Sequence, residues 1–123
     1  MSTALNFSHY LDNEINVVVL EGEADNTNTE LTFAKIAEKI RPLHGKKILL
    51  DLRKMTYCNS MFLGHTAALH VDLANKWWLL TLVVNEKISD PFTITGLDRL
   101  TKITKDFDAG FNDLKKATAT LSI

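Results

Sequence analysis

Two hydrophobic rhythms alternate along this chain. Residues 15–21 form a short run rich in β-branched side chains, residues 48–52 form a second apolar run, and residues 78–84 a third. Runs of this length and composition predict buried strands. Between them apolar residues recur at helical spacing. Leu31, Ile36, Ala37 and Ile40 predict an amphipathic helix over 29–41, with Thr29 as its N-cap and Pro42 and Gly45 as its stop. Residues 60–75 predict a second helix. Leu63, Ala67, Val71 and Ala74 make its apolar stripe, and Phe62, Leu69 and Leu73 widen it until cover on more than one side is expected. Residues 4–11 alternate irregularly and predict a weaker strand, joined to 15–21 by the turn signal Asp12-Asn13-Glu14, so the two should pair antiparallel. After the third strand, Asp90 before Pro91 predicts the start of a helix of about two turns over 91–98, closed by Gly96. A short strand at 102–104 follows, then a last helix capped by Asp108, with 118–123 as a frayed tail.

A strand, a helix and a second strand, repeated, form βαβ units, which favour parallel pairing through right-handed crossovers. The expected fold class is therefore α/β: a single domain over 1–123 with a core of about 4–118, a mixed sheet of four to five strands, and about four helices mainly on one face. At 123 residues one domain suffices. Apolar residues make up 46% and charged residues 24%, ordinary for a globular protein, and a net charge of −1 implies no attraction to nucleic acid or to an anionic membrane. The longest apolar run falls far short of the ~20 residues that span a bilayer. One cysteine, Cys58, excludes an internal disulfide. With residues 1–14 showing neither a basic n-region nor an apolar h-region, a cytoplasmic setting without a signal peptide is expected.

Candidate chemistry concentrates where the central strand passes into the second helix. The first N–H groups of a helix lack internal partners and the dipole makes that end electropositive, so an anion, or a phosphate on Ser60, is stabilised there. The plainer role of Asn59 or Ser60 is to cap the helix. Asp25, at a strand end, is a carboxylate candidate for flanking Ser60, and Asp51 alternates within its strand toward a helix end or loop amide; solvated or capping roles suit both better than acid–base chemistry. His65 and His70, five apart, lie on different helix faces, unlike the i,i+4 pair of a zinc site, while His9 and His44 lie elsewhere, so no metal and no cofactor are expected. Trp77-Trp78 opens a strand, one ring toward the core and the other away.

Three motifs in order carry a resemblance. Gly22-Glu23-Ala24-Asp25, Asn59-Ser60-Met61-Phe62-Leu63-Gly64 and Thr95-Gly96-Leu97-Asp98-Arg99-Leu100 resemble signatures of STAS domains, the fold of bacterial anti-sigma-factor antagonists. The central family pattern is Asp-Ser-Ser-Gly-Leu-Gly; Ser60, Leu63 and Gly64 match it, whereas Asn59, Met61 and Phe62 replace the acid, the second serine and the first glycine. The resemblance implies a non-enzymatic module that binds an anti-sigma factor or serine protein kinase and is released when Ser60 is phosphorylated. Asp25, Asn59, Ser60, Met61 and Phe62 would form the partner-binding site, with the helix 60–75 face and the loops 22–28 and 53–60. Phe62 either points outward and blocks close approach or turns inward into the core. A phosphorylation-independent scaffold, a small-ligand or nucleotide binder near Asp25 and Ser60, and a homodimer all stay open.

Overall fold

The computed structural model describes residues 5–40 and 47–117; Pro42, His44, Gly45 and the tail 118–123 lie outside the described residues. Strand β1 (Leu5–Asp12) and strand β2 (Ile15–Glu23) form an antiparallel hairpin. Its two-residue turn, Asn13-Glu14, has φ of 51° and 66°, the positive values a primed turn requires to match strand twist. Helix α1 (Thr29–Ile40) then crosses to strand β3 (Lys47–Tyr57), which lies parallel to β2. Helix α2 (Ser60–Asn75) leads to strand β4 (Leu79–Val83), and helices α3 (Glu86–Ile94) and α4 (Leu97–Leu100) lead to strand β5 (Lys102–Thr104), both strands again parallel to their predecessors. Helix α5 (Phe107–Lys116) ends the described chain. The sheet runs β1-β2-β3-β4-β5, a mixed five-stranded α/β architecture.

Alternation along the strands makes two cores. Val18, Leu20, Leu50, Leu52, Leu82 and Val84 face the layer that also holds Phe33, Ile36, Phe62, Leu69, Leu73, Ile88 and Phe92. Ile15, Val17, Leu49 and Val83 face the other way, onto Leu114, Phe107 and Phe111 of α5. Four helices therefore share one face and a fifth covers the opposite one. Gly110 lets α5 sit against the sheet: a Cβ there would meet Thr104 Cγ2 at 3.1 Å and Thr81 Cγ2 at 3.3 Å. Asp51, on the α5 face, is buried and grips Arg53 through two side-chain bonds of 2.9 Å, and the Arg53 guanidinium lies 4.5 Å from the Phe107 ring centre. The carboxylate thus pairs with a cation two residues on rather than with a helix end.

Several element ends differ from expectation, each for a tertiary reason. β3 continues to Tyr57 because Lys54, Met55 and Tyr57 pair with β2 past the apolar run, so 53–57 is strand rather than loop. Helix α3 begins at Glu86, not at Pro91: Asn85 caps it and Pro91 sits inside, where its missing N–H forfeits one helical bond. The last helix is capped by Asp106, whose carboxylate accepts from Ala109 N, and Asp108 lies within its first turn. Thr29 is buried inside α1 and donates its hydroxyl to the Asp25 carbonyl instead of capping. Trp77 precedes β4: it stands at φ 65° where α2 ends, with Trp78 N bonded to Leu73 O and Trp77 N to Ala74 O, a Schellman closure. Its ring is 67% exposed, while Trp78 packs on the larger core. On α2 itself Val71 and Ala74 face solvent, and the buried stripe is Phe62, Leu63, Thr66, Leu69 and Leu73.

Candidate functional site: the N-terminus of the central helix

The parallel order of β2, β3 and β4 brings the loops that follow them to one end of the sheet. Extension of β3 carries Cys58 and Asn59 past the sheet edge, and Ala24 N donates to Tyr57 O at 2.9 Å, pinning the turn after β2 beside them. Asn59 has extended backbone, φ −108°, and its Oδ1 accepts the Phe62 N–H at 3.0 Å. That is the capping bond a helix start needs, and an asparagine supplies it as well as an aspartate does. The other half of the Asn59 amide donates to Asn26 Oδ1 at 2.8 Å, tying the cap to the turn after β2.

Asp25 is in that turn, but its carboxylate is directed into its own loop. Oδ1 accepts from Thr27 Oγ1 at 2.7 Å, Thr27 N at 2.8 Å and Asn28 N at 3.1 Å. Those bonds, the Thr27 hydroxyl first, hold the Asp25 carboxyl below its ordinary value. Asn28 returns the contact by accepting from Asp25 N and donating to Glu23 O. Asp25 therefore shapes the turn, while Asn26 is the residue that reaches Asn59.

Ser60 is the first residue of α2 and is exposed. Its hydroxyl makes no hydrogen bond among the described residues. Glu30 in α1, Glu86 in α3, Asp98 in α4 and Asp108 in α5 each place an acid in the first helical turn; α2 has none. Its positive end therefore has no compensating acid from its own first turn. Met61 is 38% exposed beside Ser60. Phe62 is fully buried and meets the Phe33 ring edge-on at 5.2 Å, so it belongs to the core and not to a partner-facing surface. The neighbouring Cys58 is buried too, and burial pushes its thiol up to about 11, which keeps it protonated and unreactive at neutral pH.

Beyond Met61 a shallow groove follows the outer side of α2. Its first part, about 330 Å³, is lined by Met61, Gly64, His65 and Ala68. The second, about 520 Å³, shares His65 and Ala68 and reaches Phe33, Val71, Asp72 and Asn75. His65 stacks on Phe33 at 5.3 Å, forming the groove wall. Residue spacing alone did not single out this surface, because it depends on α1 lying alongside. Neither part is lined by Asp25 or Ser60. His65 and His70 do not converge, and among the described residues no three His, Cys, Asp or Glu side chains come together as metal ligands. No helix among them is long and apolar enough to cross a membrane.

No protein-family model matches this chain, and no curated protein sequence does. Solved structures do. An anti-sigma factor antagonist from Mycobacterium paratuberculosis superposes with a TM-score of 0.85 at 18% identity, covering 92% of this chain and 96% of that one. The anti-sigma factor antagonist SpoIIAA in its unphosphorylated form superposes with a TM-score of 0.74 at 17% identity, covering 94% and 99%. The fold of this chain is the fold of those antagonists, over almost their whole length.

Proposed function

We propose that this chain is a STAS-type regulatory module rather than an enzyme. It would act in the cytoplasm, binding an anti-sigma factor or serine protein kinase through the outer side of α2 and the turn 24–28. Phosphorylation of Ser60 would release the partner. The observation that carries this reading is the setting of Ser60: an exposed, unbonded hydroxyl on the first residue of the one described helix without a first-turn acid. A phosphate there adds about 1.5 to 2 negative charges at pH 7. The dipole accepts it at a gain of about 0.3–1 kcal/mol, so the modified chain stays folded. A partner seated on Met61 and Gly64 would meet a new, strongly hydrated dianion at the rim of an apolar contact, and the contact would weaken by desolvation. The experiment is incubation of the protein with the candidate kinase and ATP, followed by mass spectrometric mapping. Phosphate on Ser60, with Ser60→Ala retaining the partner and Ser60→Asp losing it, supports the reading; phosphate elsewhere or none overturns the gating.

One observation favours a second reading, a constitutive scaffold. The acid of the family motif is replaced by Asn59, whose amide is committed to Phe62 N and Asn26. A neutral, locked cap leaves no carboxylate beside the hydroxyl to assist phosphoryl transfer. Equal partner affinity for Ser60→Ala and Ser60→Asp decides for the scaffold.

A further inference from the structure

The sheet has two edges, and they are built differently. β5 is three residues long, and charged side chains stand at its ends: Lys102 pairs with Asp113 and Lys105 with Glu86. Short, charged edges resist pairing with another chain. β1 is eight residues long and pairs with β2 along its full length, from Leu5↔Gly22 to Asp12↔Ile15, which leaves its other side unpaired among the described residues. From Leu5 to Leu11 it holds no Lys, Arg, Asp, Glu, Pro or Gly. Its register with β2 is unbroken, whereas the irregularities lie between β2 and β3. Leu11 is 60% and Tyr10 45% exposed at its far end. Among the described residues no lysine, proline or bulge blunts this edge, and its one charge, Asp12, stands at the strand's end.

We propose that β1 is an interface with a second copy of this chain, the two β1 strands pairing antiparallel about a two-fold axis at Ser8 so that the sheets join. The occupant follows from the strand being its own complement. Directly opposed residues of an antiparallel pair share a face, so even positions meet even and odd meet odd. Centred on Ser8, the pairs are Leu5 with Leu11, Asn6 with Tyr10, Phe7 with His9, and Ser8 with itself. The exposed Leu11 is covered by an apolar partner, Tyr10 by a polar one that leaves its hydroxyl wet, and Asp12 falls outside the paired stretch. Centring on His9 would oppose two imidazoles and bring Asp12 against Asn6. Centring on Phe7 would leave Tyr10 and Leu11 beyond the partner's Leu5. The isologous contact closes on itself, so it yields a dimer and not a filament. It is independent of Ser60 and of the α2 groove.

An edge contact buries less than a standard interface, so the dimer is weak. Sedimentation equilibrium of the whole chain from about 10 μM to about 1 mM should show reversible monomer–dimer exchange. Ser8→Lys places two like charges opposite each other and should raise the dissociation constant about tenfold or more. Ser8→Cys should give a reducible covalent dimer under mild oxidation, because opposed Cα atoms 4.5–5.5 Å apart suit a disulfide. Asn6→Cys should not, since its own counterpart would lie roughly 13 Å along the strand. Circular dichroism establishes that each variant is folded. A wild-type chain that stays monomeric throughout, a Ser8→Lys chain that dimerises as the wild type does, or cross-linking of Asn6→Cys equal to that of Ser8→Cys overturns the proposal.

Discussion

Helices α2 and α3 leave the same end of the sheet, each through an asparagine cap. Asn85 Oδ1 accepts from Ile88 N, and its amide nitrogen donates to the backbone carbonyls of Arg53 and Met55 at 2.9 and 2.8 Å. Asn59 makes the same capping bond, but its nitrogen reaches only the side chain of the exposed Asn26. The first helical residue then differs: Glu86 in α3, ion-paired with Lys105, and Ser60 in α2, neutral and unpaired. One start is tied to the strand backbone and its dipole is met by an acid. The other is tied to a surface side chain and left electropositive. The same capping bond is backed by strand carbonyls in one place and by a surface side chain in the other, and what distinguishes them is the second bond of the amide.

Substitutions at the two helix starts should separate these roles. The largest effect is expected at Phe62→Ala, which empties a fully buried ring site beside Phe33 and should cost about 3–5 kcal/mol in denaturant unfolding. Met61→Ala next to it should stay within about 0.5 kcal/mol. Asn85→Ala removes a cap and strips two carbonyls of their donor, and about 2–3 kcal/mol is expected. Asn59→Ala should lose only about 1 kcal/mol, the capping term, because Asn26 returns to water; a loss equal to that of Asn85→Ala would erase the distinction drawn between them. Gly64→Ala meets no atom within 4 Å and should stabilise the exposed helix by about 0.5–1 kcal/mol, yet it adds a methyl to the floor of the groove and should weaken partner binding in a pull-down titration. Ser60→Asp should stabilise by about 0.3–1 kcal/mol, less at high salt, as thermal melts at two ionic strengths would show.

The smallest effect is a pH dependence at the turn that Asn26 shares. Asp25 is held below its ordinary 3.8 in the folded chain, so the unfolded chain binds its proton first as pH falls. The stability this contributes is present above that value and drains away as pH drops below it. Asp25→Asn should flatten the acid limb of the stability curve below about pH 4, with the neutral-pH melting point the control.

Residue pattern was enough for the alternation of strand and helix, because burial on two faces demands continuous apolar runs and burial on one demands a helical stripe. The start of α2 was legible for the same local reason, a polar pair followed by a long apolar period, but the pattern left Asn59 and Ser60 both open as the cap, and the structure gives that place to Asn59. Asp90-Pro91 is a stronger local start signal than Asn85, and it lost because Asn85 bonds carbonyls of β3 some thirty positions upstream, a partner no window contains. β3 runs on to Tyr57 because β2 extends beside it, not because its own residues are apolar. Local pattern likewise left both orientations of Phe62 open. Packing of α2 against α1 chose the inward one, left Val71 and Ala74 exposed and made a groove walled by His65 and Phe33. Strand or helix character could be read from neighbours within a few residues, whereas the ends of β3 and α3 depended on partners far along the chain. Which side chains stay exposed was settled in the assembled fold, because exposure belongs to the packing of elements distant in the chain.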